Sequence, residues 1–162
     1  MRKMYIIMAM VVGLFAMSCN DDFTPPATLA ESFRNAYPNA VDVEWERERG
    51  HRVAEFKLPG VSHDCEAWFT KSGNWVLTEY AIDYSELPDA VRSAFESAWG
   101  TQTPVDSVRW IERNGAEDVY FIEIEQVEDG VLVDVYLDYS PDGELLRRWV
   151  EVDNYDNVYY YL

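Results

Sequence analysis

The sequence is poor in the residues that most catalytic and metal sites use. It has two cysteines, two histidines and eight glycines among 162 residues. It contains no Gly-x-Ser-x-Gly turn, so the nucleophile elbow of the α/β hydrolases is absent. His63 and Cys65 lie two residues apart, but they lack the third group that would orient a catalytic base, and they lack the partner cluster that zinc requires. We therefore predict no catalytic residues, no metal and no cofactor, and a protein that is not an enzyme.

Basic residues are scarce as well. Thirteen lysines and arginines stand against 30 aspartates and glutamates, which gives a formal net charge of −17 at pH 7. A charge of this sign repels phosphate backbones, so DNA and RNA are excluded as partners. Apolar residues make up 48% of the chain and aromatic residues 15%, so the chain can form a packed core. Any macromolecular partner is expected to have basic character.

Long hydrophobic runs are confined to the first residues. Tyr5–Met17 is apolar apart from Gly13, and Arg2 and Lys3 precede it. The run is shorter than the roughly 20 residues of a spanning helix and has the size of a secretory signal. It ends in Ala-Met-Ser-Cys19, which is similar to the lipobox of bacterial lipoproteins, with alanine where leucine is commonest. Residues 1–18 are therefore predicted to be a lipoprotein signal peptide and Cys19 the lipid attachment site. The alternative is an ordinary signal peptide cut elsewhere.

Residues 19–27 are predicted to tether the anchor to the fold, with Pro25-Pro26 as a stiff segment. Asn20-Asp21-Asp22 resembles the surface-export signal of lipoproteins in a large phylum of gut bacteria, and a merely polar tether is the alternative. The predicted location is the outer membrane, anchored by lipid and either periplasmic or surface-exposed. Two or more acyl chains hold a protein firmly in a membrane.

The rest of the sequence, after the tether, contains two copies of one repeated pattern. Thr28–Glu31 has the spacing of a capping box, and the helix that follows ends at Pro38. The pattern recurs with offsets that grow from 62 to 70 residues, as small loop insertions would produce. The matched pairs are Phe33 with Phe95, Trp45 with Trp110, and Gly73 with Gly143.

Turn dipeptides divide the sequence that follows each helix into short predicted strands. Asn114-Gly115 and Asp129-Gly130 are strong hairpin signals because tight turns need positive φ. The expected fold class is α+β, with two tandem repeats that each contain one helix and a four-stranded antiparallel meander, and with the helices on one sheet face. The repeats are predicted at 28–84 and 85–153, and 154–162 forms an aromatic tail of undetermined role. The predicted strands are Val43–Glu48, Arg52–Leu58, Asp64–Thr70, Trp75–Tyr80, Ser107–Arg113, Asp118–Val127, Val131–Tyr139 and Glu144–Val152.

Four stretches of this pattern resemble the PepSY-like lipoproteins of gut bacteria. They are Phe33–Pro38, Val43–Glu46, Glu66–Gly73 and Leu87–Val91, and the resemblance extends from about Leu29 to Val152. The family is likened in fold to the β-lactamase inhibitor protein, which has two helix-plus-sheet repeats and a concave sheet face. The resemblance implies at most a kinship with modules that bind or inhibit other proteins, because fold alone does not fix function.

The candidate site is the sheet face turned away from the helices. If Cys65, Ala67 and Phe69 face the helices, their strand neighbours face the other way. Exposed aromatics among carboxylates would suit a basic protein or peptide partner. One alternative is a glycan or small ligand stacked on Trp68, Tyr136 and Trp45. Another is that Trp68 and Tyr136 only pack across strands or are covered by the aromatic tail. The predicted binding residues are Glu66, Trp68, Phe121, Glu123, Glu125, Asp134, Tyr136 and Asp138.

Overall fold

The computed structural model describes residues 23–60 and 63–151. The predicted signal peptide, Cys19 and the aromatic tail lie outside these residues. A short 3-10 turn at Tyr84–Glu86 precedes the second helix. In chain order the elements are α1 Ala27–Ala36, β1 Val41–Glu48, β2 His51–Lys57, β3 Asp64–Phe69, β4 Trp75–Ala81, α2 Asp89–Trp99, β5 Ser107–Arg113, β6 Val119–Glu128, β7 Val131–Tyr139 and β8 Leu145–Glu151.

The eight strands form one antiparallel sheet in which every strand pairs with its neighbours in sequence. The α+β class predicted from the sequence is confirmed, with an eight-stranded antiparallel sheet and two helices. The predicted strand bounds agree with the structure to within two residues. Arg49-Gly50 and Asp129-Gly130 have positive φ at both positions, as the tightest hairpin turns require.

The predicted capping box at Thr28 is wrong. Helix α1 begins at Ala27, two residues earlier than an N-cap at Thr28 would give, and Pro26 occupies the N-cap without a side-chain hydrogen bond. The carbonyl of Pro26 accepts the N–H of Ala30 at 3.0 Å. Helix α2 begins in the same way, because Pro88 occupies its N-cap. The proline ring holds φ near the value that the chain needs on entering a helix, so the first turn starts at the proline.

The buried side chains form three clusters. Helix α1 contributes Leu29 and Phe33 to a cluster with alternate residues of β2 and β3. Helix α2 contributes Val91 and Phe95 to a cluster with alternate residues of β5 to β7. We call the strand positions in these two clusters the helix-packed side of the sheet and the intervening positions its reverse side. The third cluster is formed by reverse-side residues, which are Val53, Trp68, Leu77, Ile111, Val119, Phe121 and Tyr136.

The β7–β8 turn lies tightly against helix α2. Gly143 in this turn has φ +83, and a Cβ placed on it would lie 2.5 Å from the carbonyl oxygen of Ala90. The matching glycine of the first half, Gly73, has φ +87 but more room, since its nearest neighbour would be Leu29 Cδ1 at 3.9 Å. Only a residue without a side chain fits at Gly143.

Candidate functional site

Strand alternation places the eight predicted binding residues on the reverse side. Six of them are neighbours on β6 and β7, where Phe121 pairs with Asp138, Glu123 with Tyr136, and Glu125 with Asp134. The other two, Glu66 and Trp68, lie on β3, and strands β4 and β5 separate them from β6. The structure therefore brings six of the predicted residues together and leaves two of them apart.

The expectation that these aromatic rings are exposed is wrong. Trp68 is 0% exposed, Phe121 is 1% exposed and Tyr136 is 2% exposed. The Phe121 and Tyr136 rings are stacked with centroids 5.8 Å apart, and Trp149 stacks on Tyr136 at 5.4 Å. Large rings contribute more to stability when they pack against each other than when they face water, so cross-strand packing prevails here. Trp68 and Tyr136 do not offer the open ring faces that a sugar would stack on.

Arginines bind the charged groups next to this aromatic cluster. Asp138 is only 3% exposed. Its Oδ2 atom accepts a hydrogen bond from Arg147 Nε at 2.8 Å and lies 2.7 Å from Arg147 Nη2. The Arg147 guanidinium also lies 4.2 Å from the centroid of the Trp149 ring. Arg109 lies 5.5 Å from the Phe121 centroid and 3.8 Å from Glu79. The predicted carboxylate Asp138 therefore belongs to an internal ion pair.

A row of carboxylates crosses the first four strands on the reverse side. Consecutive members of the row are direct partners across neighbouring strands. Glu44 and Glu55 are exposed, and Glu66 is half-buried. Burial raises the pKa of Glu55, and the neighbouring carboxylates, Asp64 first, raise it further. We call these residues the acidic row, and its members are Glu44, Glu55, Glu66 and Glu79.

The thiol and the imidazoles do not form a reactive pair. Cys65 is 0% exposed in the cluster beneath helix α1, and burial raises its pKa to about 11. His63 Nε2 lies 3.1 Å from a carboxylate oxygen of Asp83. Within residues 23–60 and 63–151, no three histidine, cysteine or acidic side chains are placed to hold a metal ion. Cys65, Ala67 and Phe69 therefore face the helices, as the choice of the candidate face from the sequence assumed.

A pocket that the sequence analysis missed opens on the helix-packed side. Its volume is about 940 Å³, and it lies where the end of helix α1 meets the β3–β4 turn and strand β5. Four aromatic rings and one carboxylate contribute to its lining. The principal lining residues are Tyr37, Phe69, Trp75, Tyr80, Glu112 and Asn114.

Hydrogen bonds fix the polar atoms of the pocket rings. The buried hydroxyl of Thr78 lies 2.5 Å from the Tyr37 hydroxyl and accepts the indole N–H of Trp75 at 2.9 Å. The Tyr80 hydroxyl donates to Glu112 Oε2 at 3.1 Å. Burial raises the pKa of Tyr80, and Tyr37 and Glu112 add to the rise, so Tyr80 remains a protonated donor. The rings are thus held in place before any ligand arrives.

One signal for this pocket was present in the sequence. On β5, the positions that face the helices are Val108, Trp110 and Glu112, and a carboxylate is unusual at an inward position of an alternating strand. The Trp110 ring stacks on Tyr80 with centroids 4.5 Å apart, which places Glu112 beside the Tyr80 hydroxyl. An inward charge on an otherwise apolar side of a strand indicates either an ion pair or a ligand site.

Comparisons with known proteins identify the family. The family model described as "Putative beta-lactamase-inhibitor-like, PepSY-like" matches residues 60–147. A DUF2874 family protein from Bacteroides ovatus is 30% identical, with 83% of this chain and 93% of that chain covered and a TM-score of 0.74. A BLIP-like protein from Bacteroides fragilis is 28% identical, with 85% and 94% covered and a TM-score of 0.71.

A third solved structure shares the fold. It comes from Bacteroides eggerthii, is described as one of the "putative periplasmic proteins", and is 23% identical, with 85% of this chain and 96% of that chain covered and a TM-score of 0.73. No curated protein matches the chain. Neither helix in the described part of the chain has the length and apolar character needed to cross a bilayer. On the family model and the 30% identity over most of both chains, the protein belongs to the PepSY-like, beta-lactamase-inhibitor-like family.

Proposed function

We propose that the protein is a non-catalytic binding module of the cell envelope that holds a basic protein or peptide segment against the reverse side of its sheet. The family to which it belongs is described as inhibitor-like, which supports a binding role. The observation that carries the proposal is the acidic row, in which glutamates stand directly opposite one another on four neighbouring strands.

Like charges that face each other across strands destabilise a sheet, by up to about 1 kcal/mol a pair. Arg109 lies near one end of the row, at Glu79, whereas Glu44 and Glu55 at the other end face solvent. A lysine or arginine side chain from a partner would relieve this repulsion where Arg109 does not reach. Neighbouring strands are about 4.8 Å apart, so a basic segment laid across them could place successive cations along the row.

The burial of the central rings changes the expected character of the interface. Trp68, Phe121 and Tyr136 are packed and are not available as aromatic anchors in this conformation. Association would then depend on the exposed carboxylates of the acidic row. Such charges accelerate the encounter of two proteins, and salt screens them more than it screens buried contacts. The complex is therefore expected to form rapidly and to weaken at high ionic strength.

The test is capture of partners by the full chain from envelope extract, at low and at high salt. One variant carries Glu44→Gln, Glu55→Gln and Glu66→Gln. A matched control removes the same number of charges elsewhere, through Glu31→Gln, Glu117→Gln and Glu144→Gln, all at exposed positions. We expect a stoichiometric basic protein to bind the wild type and the control at low salt and to be lost from the acidic-row variant. Equal retention by both variants, or no partner on the wild type, would contradict the proposal.

The lipid anchor is a separate part of the proposal. Its support is the lipobox-like sequence that ends in Cys19, together with the B. eggerthii structure, which is described as periplasmic. We place the protein at the outer membrane, on its periplasmic or outer surface. Cells labelled with an alkyne fatty acid should yield labelled wild-type protein, whereas Cys19→Ala should give none. Labelling that persists in Cys19→Ala would exclude this attachment site.

We further propose that the two halves are copies of one helix-plus-four-strand unit with both helices on the same side. The support is that each helix clusters with alternate residues of its own four strands. The stacked rings of Tyr80 and Trp110 join the two halves on that side. The duplication would account for the growing sequence offsets as insertions into loops.

A further inference from the structure

We propose that the pocket on the helix-packed side is a binding site for an organic cation, with an alkylammonium group held among its aromatic rings and beside Glu112. This proposal goes beyond the function proposed above, because the pocket and the acidic row lie on opposite sides of the sheet. Either site can therefore be disproved without affecting the other.

Hydrogen bonds make the aromatic lining of the pocket rigid. Thr78 is 0% exposed and holds both the Tyr37 hydroxyl and the Trp75 indole, as described above. The side-chain amide of Asn114 donates to the carbonyl oxygen of Trp75 at 2.9 Å, which fixes the backbone of the same residue. Rings positioned in advance lose little conformational freedom when a ligand binds, so more of the contact energy appears as affinity.

The lining of the pocket carries a negative charge and no positive one. Glu112 is the one ionisable side chain apart from tyrosine among the residues that line the pocket, and no lysine, arginine or histidine is among them. Tyr80 donates to one oxygen of this carboxylate, Oε2. The carboxylate of Glu112 makes the electrostatic potential of the lining negative, and the faces of the aromatic rings are also negative. Both features attract a cation and disfavour an anion.

Aromatic rings on the reverse side of the sheet have a different environment. There, aromatic rings are covered by the protein's own cations, with Arg147 over Trp149 and Arg109 over Phe121. On the helix-packed side, Arg148 likewise lies 5.8 Å from the centroid of the Trp99 ring. No lysine or arginine is among the residues that line the pocket together with Tyr37, Trp75 and Tyr80. The pocket rings differ from all of these because the residues that line the pocket include no internal cation.

The size of the pocket narrows the class of ligand. A volume of about 940 Å³ is within the range of small-molecule sites and far exceeds that of a bare ammonium ion. The ligand is expected to carry an apolar or aromatic body as well as its charge, so that the body contacts Phe69 and the cationic head lies near Glu112. The same chemistry is available from a free amine or quaternary ammonium compound and from a lysine side chain of another protein.

The test uses the full chain and two probes of nearly the same shape. Benzyltrimethylammonium carries the positive charge, and neopentylbenzene has a carbon atom in place of the nitrogen. Binding is followed by two-dimensional NMR of the Trp75 indole N–H and quantified by calorimetry. Glu112→Gln removes the charge while keeping an oxygen that can accept from Tyr80. Glu144→Gln, an exposed carboxylate on the β7–β8 turn, is the matched control.

We expect the cation to shift the Trp75 indole signal and to bind at least tenfold more tightly than the neutral probe. Glu112→Gln should weaken the cation about tenfold, which is the loss expected for one charge-assisted contact, and should leave the neutral probe unchanged. A lysine-containing peptide is tested in parallel for competition with the cationic probe. Competition would identify the natural source of the cation as a lysine side chain of a protein, and no competition would identify it as a free small molecule. Equal binding of the two probes, or no shift with folded protein at millimolar cation, would overturn the proposal.

Discussion

Gly143 permits a direct test of how closely the β7–β8 turn contacts helix α2. In Gly143→Ala the added Cβ would lie 2.5 Å from the Ala90 oxygen and 2.8 Å from the Ala90 carbonyl carbon, whereas ordinary contacts begin near 3.4 Å. The turn and the helix must therefore separate by roughly 0.9 Å. Alanine at positive φ costs about 1–2 kcal/mol, and overpacking of this kind adds about 1–3 kcal/mol. The expected loss is about 2–5 kcal/mol, a large part of the ~5–15 kcal/mol that stabilises a typical domain.

Gly73→Ala is the matched control, because Gly73 occupies the equivalent turn at nearly the same φ and has its nearest neighbour at 3.9 Å. It should lose only the conformational part, about 1–2 kcal/mol. Urea unfolding followed by tryptophan fluorescence measures both variants, and the difference between them isolates the contact with Ala90. Equal losses in the two variants would refute the reasoning, since they would mean that α2 yields to the added methyl group at no cost.

Three further predictions concern ionisable groups. Because the pKa of Cys65 is raised to about 11, its folded form favours the neutral thiol, and this contribution to stability is present below pH 9 and is lost as the pH rises towards 11. The difference in unfolding free energy between wild type and Cys65→Ala should therefore shrink across that range, and a pH-independent difference would contradict the assignment. Arg147→Ala removes a guanidinium from the buried Asp138 and should cost roughly 3–5 kcal/mol, with a double-mutant cycle against Asp138→Asn showing strong coupling; additive effects would argue against the ion pair. The raised pKa of Glu55 means that its ionised form is disfavoured in the fold, so Glu55→Gln should raise the unfolding free energy at pH 7 and leave it unchanged at pH 4, and a loss of stability at pH 7 would refute the repulsion.

Local signals in the sequence were sufficient to predict the secondary structure. Pairs such as Asp129-Gly130 mark turns because they tolerate positive φ, and in a meander each turn also sets which strands are neighbours. The start of α1 was less predictable, because Pro26 and Thr28 each offer a plausible first turn. The backbone geometry at Pro26 decides between them.

The candidate site was harder to predict, for a different physical reason. Alternation along a strand indicates the side to which a residue points, but it does not indicate whether that side is dry. Trp68 and Tyr136 are therefore on the expected side and are nevertheless buried. The pocket on the helix-packed side draws Tyr37, Trp75 and Glu112 from segments almost 40 residues apart, and no local pattern connects them.

The reverse-side cluster has a consequence for the synthesis of the protein. It combines Trp68 and Leu77 from the first four strands with Phe121 and Tyr136 from the last four. The first half emerges from the ribosome with apolar side chains that cannot be covered until strand β7 has also been made. At the usual elongation rates of ~5–20 residues per second, the interval between Ala81 and Tyr139 lasts about 3–12 s. During that interval the apolar side chains of the first four strands, Trp68 among them, are exposed. Chaperones and proteases would therefore encounter the incomplete sheet before they encounter the folded protein.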